Sequence, residues 1–475
     1  MARVETIVFL SLVLDLFAFT IPLPLFPRII EWYTKRESSI HNGFLSRTLQ
    51  LVSGVRGVFY ASSKNSERWD IVLLGGLMGS VFSTLQFLVS PRIGSLSDKY
   101  GRKKILLITM IGNILSAVVW IQSTTFASYM LSRVIGGLSE GNVQLAIAIL
   151  SDVTSPATRA KALAHVGIAF AICFCIGPPI GAYFASRPPP AALSALGIEL
   201  NLYAVPAALT LVLLVVETAF LIIALPETRG SSVPAPAPKD TSTNGHANSS
   251  TPKSTPAAVQ RKSAEQRLTT LKSLRRLHFL FLGIFSGVEF TLTFLTFDLF
   301  DWSNKQNGAL IGSIGVISAL LQGGYVRRAM SKTGEGVMAR NGMTACAVGM
   351  TLLAILPQFV VTNASLAMRL LQGAAVCLAF TSATVVNALT AFASLQTDDV
   401  VEGQSELENP QLAKGKALGQ FRSSGQLGRA MGPLLACASY WTFGPSTTYA
   451  VCAAAMFALS VHMRPLATKP KIKTA

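Results

Sequence analysis

Charged residues are scarce in this sequence. Of its 475 residues only 13% are Asp, Glu, Lys or Arg, whereas 51% are hydrophobic. A soluble globular protein has about 25% charged residues, and the mean hydropathy of this chain is +0.48. The deficit excludes an ordinary soluble enzyme and indicates an integral membrane protein, with the lipid bilayer as a partner.

Acidic residues and histidines are also few, and no cysteine lies outside the apolar segments. There are 23 Asp and Glu against 40 Lys and Arg, and most basic residues flank apolar segments, which is typical of membrane topology rather than nucleic-acid binding. All six cysteines fall inside apolar segments, where disulfides and zinc sites are disfavoured. The five histidines form no cluster, and no phosphate-binding loop is present. We therefore expect no metal, no cofactor, no nucleic-acid partner and no ATP-driven pumping.

Long apolar runs dominate what is present. A helix needs about 20 apolar residues to cross a bilayer, and lipid offers the backbone no hydrogen-bond partners, so such runs must be helices. We predict twelve spanning segments, at roughly 6–27, 71–91, 105–122, 126–150, 162–184, 202–225, 277–297, 307–326, 339–361, 364–392, 415–440 and 446–463. The predicted fold class is an all-α polytopic membrane protein.

The predicted spans fall into two sets of six. Residues 229–272 between them are rich in Pro, Ser, Thr and Lys and cannot bury a core, so we predict a flexible linker there. The end of this region, 264–276, could form a short amphipathic helix. We divide the chain into an N-terminal six-helix bundle at 1–228, the linker, a C-terminal six-helix bundle at 273–465 and a tail at 466–475.

The two halves resemble each other in sequence. Residues 159–163 read RAKAL and residues 414–418 read KGKAL, and a Gly-Pro pair follows at 177 and again at 432. Both matches have the same offset of 255 residues (414 − 159 and 432 − 177). Duplicated six-helix halves are typical of transporters, whose solute site lies near the midplane between the halves.

Basic residues collect on one side of the predicted bundle. That side carries the cluster at 99–104, the linker, the basic residues at 414–416 and the C-terminal lysines, whereas the loops on the other side have almost none, apart from 28–70. The positive-inside rule predicts that both termini and the linker are cytoplasmic. The predicted location is the plasma membrane or an intracellular organelle membrane.

Three charged residues of the first half are predicted to lie within the membrane, where a charge is costly and usually functional. Asp15, midway along the first segment, either caps a kink or binds a proton or the solute. Arg133 and Glu140 are seven residues apart, on one face of the predicted fourth helix. Arg133 could pair with Asp15 or Glu140, and a static ion pair is the alternative to a solute site.

Three further charges belong to the second half. Glu289 is the acid in the core of the seventh segment. Arg422 and Arg429 are seven residues apart and share a face of the eleventh helix. Two arginines near a central cavity favour an anionic or zwitterionic solute, unless Arg422 instead extends to the cytoplasmic surface.

The most ordered motif joins the second and third segments and reads GSLSDKYGRKK at 94–104. Gly94 and Gly101 permit close helix approach and a sharp turn. Asp98 can accept hydrogen bonds from a helix N-terminus or pair with an arginine such as Arg102.

These motifs together resemble the drug:proton antiporter group of the major facilitator superfamily, and within it the tetracycline-efflux proteins and their eukaryotic tetracycline transporter-like relatives. The resemblance is carried by the loop motif at 94–104, by Arg133-x-x-x-Gly137, and by Gly177, Pro178 and Gly181 of the fifth-helix antiporter motif.

The resemblance implies two pseudo-symmetric six-helix bundles that rock between inward-open and outward-open states. It implies that Asp98 and Arg102 gate the cytoplasmic face and that Asp152 and Arg159 belong to the same charge network. It also implies that Asp15 and Arg133 lie in the cavity.

We therefore interpret the chain as a monomeric secondary transporter that moves amphipathic organic solutes, either organic anions or drug-like compounds, by proton-coupled efflux. Its partners would be a small organic solute and protons. Two alternatives are a non-transporting receptor built on a transporter fold and a polytopic membrane enzyme such as an acyltransferase.

Overall fold

The structure is a computed structural model of the chain. It describes residues 2–22, 25–37, 43–59, 66–185, 203–230, 263–302, 304–397 and 409–467. These residues are nearly all helical. The helices of the first half are α1 (Ala2–Thr20), α2 (Phe26–Arg36), α3 (Phe44–Phe59), α4 (Ser66–Tyr100), α5 (Arg102–Ile121), α6 (Phe126–Ser139), α7 (Asn142–Val153), α8 (Pro156–Ala185) and α9 (Ala204–Ala224).

The helices of the second half are α10 (Ala264–Phe300), α11 (Asn304–Leu320), α12 (Arg327–Thr333), α13 (Glu335–Ile355), α14 (Ala364–Ser394), α15 (Lys414–His462) and α16 (Arg464–Ala467). A π-helical turn at Leu321–Val326 joins α11 to α12. Gly444, with φ of 82°, kinks α15 into two segments.

Within the described ranges, nine helices are long and apolar enough to cross a membrane, judged by length and composition. Each of the twelve predicted segments overlaps a helix. The first, second and eleventh segments are not among the nine, so the number twelve stays a prediction.

Two helices lie where the sequence analysis predicted only a loop, at 28–70. Helix α2 begins just before Pro27, a residue suited to a first helical turn. It buries Ile29, Ile30 and Tyr33 completely, while Lys35 stays in solvent. With α3 it forms a separate apolar cluster that covers the ends of α5 and α6. The loop prediction was wrong because the amphipathic period of these short segments is masked by their charge.

The predicted linker ends inside a helix. Helix α10 runs without interruption from Ala264 to Phe300, so residues 264–276 are helical but continue into the seventh predicted span rather than forming a separate short helix. Leu271 and Leu274 are buried and tie this extension to the core. The rest of the predicted linker, 231–262, lies outside the described residues.

The predicted fourth span is broken near its middle. Helix α6 ends at Ser139, Glu140 has an extended backbone with φ of −71° and ψ of 99°, and α7 begins at Asn142. A side chain at Gly141 would crowd Ile93 and Thr109, so glycine lets the break pack tightly against α4 and α5. The continuous helix predicted over 126–150 is therefore wrong at this point.

The two halves meet along two seams, and one main apolar core includes residues of both. In one seam, α4 packs along the first segment of α15, and the Ser80 hydroxyl donates to the Ala430 carbonyl oxygen at 2.7 Å. In the other, α8 packs on α11 and α14. The candidate carboxyl groups lie on α1 (Asp15), in the break between α6 and α7 (Glu140) and on α10 (Glu289).

Candidate functional site

A small pocket of about 60 Å³ lies among α1, α5 and α6. It is lined by Asp15, Asn113, Trp120, Arg133 and Glu140, together with neighbouring apolar residues. Sites for drug-sized ligands have volumes of roughly 300–1,000 Å³, so an organic solute would need a wider opening than this conformation has.

Asp15 is held by a side chain that the sequence analysis did not identify. Its Oδ1 accepts a hydrogen bond from Asn142 Nδ2 at 2.6 Å. Asn142 Oδ1 in turn accepts from the Thr109 hydroxyl at 3.0 Å. Asp15 is only 4% exposed and Asn142 only 2%. The amide therefore fixes one oxygen of the carboxyl group and leaves the other for further contacts.

Arg133 is held by aromatic rings rather than by a carboxylate. Its guanidinium carbon lies 5.5 Å from the ring centroids of both Trp120 and Tyr129, within the range of cation–π attraction. Its Nε is buried and has no hydrogen-bond partner in the described part of the chain. Arg133 therefore lines the pocket without a carboxylate partner among the described residues and with one donor unsatisfied.

The predicted ion pair between Asp15 and Arg133 does not form. Both residues line the pocket, but the described residues contain no salt bridge between them, and Asp15 bonds to Asn142 instead. Arg133 and Glu140 do not share a face of one helix either, because the helix ends at Ser139. The pairing predicted from sequence spacing assumed a continuous helix and could not foresee the aromatic cluster.

Arg422 links the two halves electrostatically. It lies on α15, within range of Coulombic attraction to both Asp15 and Glu140 of the first half, although no salt bridge among the described residues joins it to either of them. It also feels the repulsion of Arg429, seven residues further along α15. Arg422 is partly buried, so it does not simply extend to the surface, the alternative left open by the sequence.

Glu289 and Arg429 form a second acid–base set in the second half. Both side chains are exposed, and they interact electrostatically with each other. Taken with Arg422, the second half thus contributes two arginines and one carboxyl group, and of these Arg422 also attracts Asp15 and Glu140. Between them the two halves therefore carry balanced opposite charges that a solute or a proton can perturb.

Glu217 on α9 faces a neighbouring helix. It is fully buried, and its Oε1 accepts a hydrogen bond from the Ser11 hydroxyl of α1 at 2.7 Å. It also interacts electrostatically with Asp15 and Glu140. It belongs to the supporting surroundings of the pocket rather than to its lining.

At the basic end of the bundle, Asp98 of the loop motif binds the N-terminus of α15. Its Oδ1 accepts the Gly415 backbone N–H at 2.8 Å, and its Oδ2 accepts the Lys416 backbone N–H at 2.7 Å. A carboxylate at a helix N-terminus satisfies unpaired N–H groups and complements the helix dipole. This contact joins the two halves directly.

Arg102 and Lys414 extend the same contact into a buried ion-pair cluster. Arg102 Nη1 donates to Asp98 Oδ1 at 2.8 Å, and Arg102 Nε donates to Asp152 Oδ2 at 2.9 Å. The other oxygen of Asp152 accepts from Lys414 Nζ at 2.9 Å. Lys414 is only 1% exposed. Asp152 is thus shared between one cation of each half.

Arg159, placed in the same network by the resemblance, makes backbone contacts instead of an ion pair with Asp152. Its guanidinium donates to the Ser151 and Ser394 carbonyl oxygens, each at 3.0 Å. Ser394 ends α14, so this arginine also connects the two halves.

Gly101 and Glu227 shape the start of α5. Gly101 has φ of 104°, a conformation that favours glycine, and a side chain there would meet the Glu227 carboxylate. Glu227 accepts the backbone N–H groups of Arg102 at 2.8 Å and Lys103 at 3.1 Å. It therefore caps α5 from the segment that follows α9.

Gly94 permits the closest helix contact at this end. A side chain at Gly94 would overlap the Gly415 carbonyl oxygen, and one at Gly419 would meet the Ser90 carbonyl oxygen at 2.6 Å. The backbones of α4 and α15 are therefore in contact, which closes the basic end.

The antiporter motif packs α8 against the end of α1. Side chains at Gly177 and Gly181 would overlap Thr20 and the Ile21 carbonyl oxygen, respectively. Pro178 lies inside α8 between these two contacts. Small residues here allow close packing next to a proline, which interrupts the hydrogen-bond ladder.

Sequence reasoning did not identify three of the side chains described above. They are Asn142, Trp120 and Lys414. Asn142 follows Glu140-Gly141 directly, and Trp120 ends an apolar run, so neither has a signal of its own. Lys414 occupies the position in the second half that Arg159 occupies in the first, and the repeat could have identified it.

Comparison with known proteins agrees with this geometry. The family model described as Major Facilitator Superfamily matches residues 8–433. The mouse protein "Major facilitator superfamily domain-containing protein 10" is 34% identical over 464 residues, which cover 95% of this chain and 90% of that protein. Its human namesake is 32% identical over 456 residues, 94% of this chain and 89% of that protein.

A bacterial relative and a solved structure are also similar to this chain. The class H tetracycline resistance protein of Pasteurella multocida is 33% identical over 106 residues, 22% of this chain and 26% of that protein. The crystal structure of the human organic anion transporter MFSD10 (TETRAN) superposes with a TM-score of 0.76 at 28% identity, and the match covers 97% of this chain and 99% of that chain.

These similarities confirm the resemblance inferred from the motifs and the all-α major facilitator fold. They also decide against the membrane-enzyme alternative, because the proteins that align over nearly the whole chain are transporters. We conclude that this chain is a multi-pass membrane transporter that belongs to the Major Facilitator Superfamily.

Proposed function

We propose that this transporter moves amphipathic organic anions by alternating access and that the movement is coupled to protons. The observation that carries the proposal is that Asp15, Arg133 and Glu140 line one pocket, while Arg422 of the other half lies close enough to attract both carboxyl groups. A cation shared by two carboxyl groups is a site where an anion and a proton can compete or cooperate. The likeness to a human organic anion transporter over 97% of the chain supports an anionic solute.

The balance of charges predicts the sign of the coupling between proton binding and anion binding. Asp15, Glu140 and Glu289 supply three negative charges, and Arg133, Arg422 and Arg429 supply three positive charges. Protonation of Asp15 or Glu140 removes a negative charge near Arg422, and an arginine without a balancing charge attracts an anion. We therefore expect the proton and the anion to bind together. Antiport and drug efflux, which the resemblance to tetracycline-efflux proteins implies, would require the opposite sign of coupling.

Alternating access is supported by the closed basic end. The Asp98 contact to α15 and the shared Asp152 join the halves there, and both must separate for that end to open. We propose that this basic end, with both termini, faces the cytoplasm, and that the functional unit is the monomer. A protease site inserted within 235–255 should then be cut only from the cytosolic side, and protection there would overturn the orientation.

The test is counterflow in proteoliposomes that contain the purified full chain. The labelled solute is an aryl sulfonate, which stays ionised across the pH range, so a pH gradient cannot drive its passive accumulation as a weak acid. An aryl ammonium of the same size is the control for charge selectivity. Counterflow of the sulfonate alone supports the proposal, whereas absence of counterflow with intact folding would favour the receptor alternative.

The same vesicles determine the sign of proton coupling. Acidification of the side from which the sulfonate enters should accelerate its uptake if proton and anion move together. Acceleration by the opposite gradient would indicate antiport. A rate that is unaffected by either gradient would contradict proton coupling.

A further inference from the structure

A second groove lies away from the central region, on the outer side of the second half. It has a volume of about 460 Å³ and lies between α13 and the last turns of α15. Its lining includes Arg340, Asn341 and Thr344 of α13, Phe457 and Ser460 of α15, and Arg464 of α16. No acidic residue of the described chain lines it. The groove therefore presents two positive charges and no negative one.

The short helix α16 helps to define the basic rim of the groove. Gly336, near the start of α13, is so close to Ala467 of α16 that a side chain there would meet the Ala467 Cα at 2.8 Å. This contact holds α16, and with it Arg464, against the beginning of α13. Arg464 is exposed and Arg340 is partly exposed, and both residues line the groove.

The two helices that form the walls are antiparallel, and their residues match in depth. The hydroxyl oxygens of Thr344 and Ser460 are hydrogen-bonded at 2.6 Å, which fixes the register below the arginines. On α13, residues 340, 344 and 348 lie four apart, along one face. The order along that face is Arg, Thr and Val from the helix start inward.

The surface below the hydroxyl groups is apolar and exposed. Phe457, which lines the groove, is 55% exposed, and Val348, one turn beyond Thr344 on the same face of α13, is 49% exposed. From Arg340 to Val348 the α-helical rise amounts to about 12 Å. Both walls thus change from cationic through hydroxyl-bearing to apolar over that depth, in a protein whose outer helices face lipid. A soluble anion would use only the first of these zones, whereas a phospholipid has chemistry that matches all three.

We propose that this groove binds an anionic membrane phospholipid, with the phosphate at Arg340 and Arg464 and an acyl chain along Val348 and Phe457. Basic grooves between spanning helices are suited to such headgroups, because the guanidinium groups contact phosphate oxygens while the lipid tail stays in the hydrocarbon layer. The site is separate from the central charges, so it does not depend on the identity of the transported solute.

The test is native mass spectrometry of the purified full chain after removal of co-purified lipid. Phosphatidylglycerol is titrated as the anionic probe and phosphatidylcholine as the zwitterionic one. The wild-type protein should bind one phosphatidylglycerol more tightly than phosphatidylcholine. The R340Q/R464Q variant should bind that lipid roughly 30-fold more weakly, at about 1 kcal/mol for each arginine near the membrane surface.

Two controls keep the result interpretable. R369Q removes an exposed arginine of α14 at the opposite end of the second half, and should leave phosphatidylglycerol binding unchanged. R340K/R464K keeps the charge and should restore most of the affinity, even if the glutamine variant folds poorly. Equal binding of both lipids by the wild-type protein would overturn the proposal. So would unchanged phosphatidylglycerol affinity in R340Q/R464Q, or full displacement of the lipid by millimolar inorganic phosphate, which would indicate a soluble-anion site.

Discussion

The Asp98 carboxylate accepts the backbone N–H of Gly415 at 2.8 Å and so joins the second and eleventh predicted spans across the two halves of the protein. Both residues belong to motifs that are visible in the sequence. The contact closes the basic end, and the first prediction follows from it.

Asp98→Asn should weaken closure of the basic end and slow turnover, while solute binding stays measurable. The amide keeps one acceptor oxygen but loses the negative charge that faces the helix dipole and Arg102. A buried backbone N–H that loses its acceptor costs about 1–3 kcal/mol, and 1–2 kcal/mol shifts an equilibrium about 5- to 30-fold. The measurement is counterflow rate beside equilibrium binding of the aryl sulfonate. Parallel loss of binding and transport would contradict a gating role.

Gly94→Ala should prevent the close contact of α4 with α15. The added methyl group would overlap the Gly415 carbonyl oxygen, and overpacking of this kind costs about 1–3 kcal/mol. We expect the distance between spin labels at residues 103 and 416, on either side of this end, to increase. Gly79→Ala, on the same helix, is the matched control, because no neighbouring atom lies within 4 Å of the position of the added methyl group. An equal effect of both substitutions would refute the steric explanation.

Asn142→Ala should lower both stability and transport, since it leaves a buried oxygen of Asp15 without its donor. An unsatisfied buried polar group costs about 1–3 kcal/mol, to be measured as the free energy of unfolding in mixed micelles. Asn113→Ala is the control, because Asn113 lines the same pocket but does not bond to Asp15. If the two variants are equally destabilised, the bond between Asn142 and Asp15 is not the cause.

Double-mutant cycles should show that Asp15 is coupled to Arg422 more strongly than to Arg133. Residues that interact directly have coupling energies of about 0.5–3 kcal/mol, whereas separate sites are nearly additive. The cycles combine Asp15→Asn with Arg422→Gln or with Arg133→Gln, and both use the free energy of unfolding. A larger coupling to Arg133 would mean that the original pairing predicted from the sequence is correct in solution.

Arg133→Gln should weaken aryl sulfonate binding about 10- to 100-fold, which corresponds to one lost charged hydrogen bond of about 1.5–3 kcal/mol. Arg133→Lys should keep part of the affinity, because it retains the charge over Trp120 and Tyr129. The measurement is equilibrium binding to the protein in detergent. Unchanged affinity in the glutamine variant would remove Arg133 from the solute site.

Motifs with ordered charge and glycine were the most predictable features. The loop at 94–104 indicated both the short turn and a carboxylate suited to a helix N-terminus, and Asp98 does bind one. The pairing of Asp15 could not be predicted, because hydrogen bonds of Asn142 depend on tertiary contacts that leave no periodic pattern. The break at Glu140 was equally hidden, since the segment around it is apolar enough to be read as one helix. The helices α2 and α3 were missed because they are short and because their charged residues hide the amphipathic pattern of their apolar residues.

Asp152 pairs with one cation of its own half and one cation of the other half. This difference determines which charged group meets water when the halves separate. Its partner Arg102 belongs to the same half, whereas Lys414 belongs to the other. In the proposed opening, Asp152 keeps Arg102, whereas the Lys414 ammonium group moves away from the Asp152 carboxylate and the Ser151 carbonyl oxygen. Uncompensated charge in a buried site is very costly. We therefore expect that opening of the basic end brings water to the start of α15, where Lys414 lies.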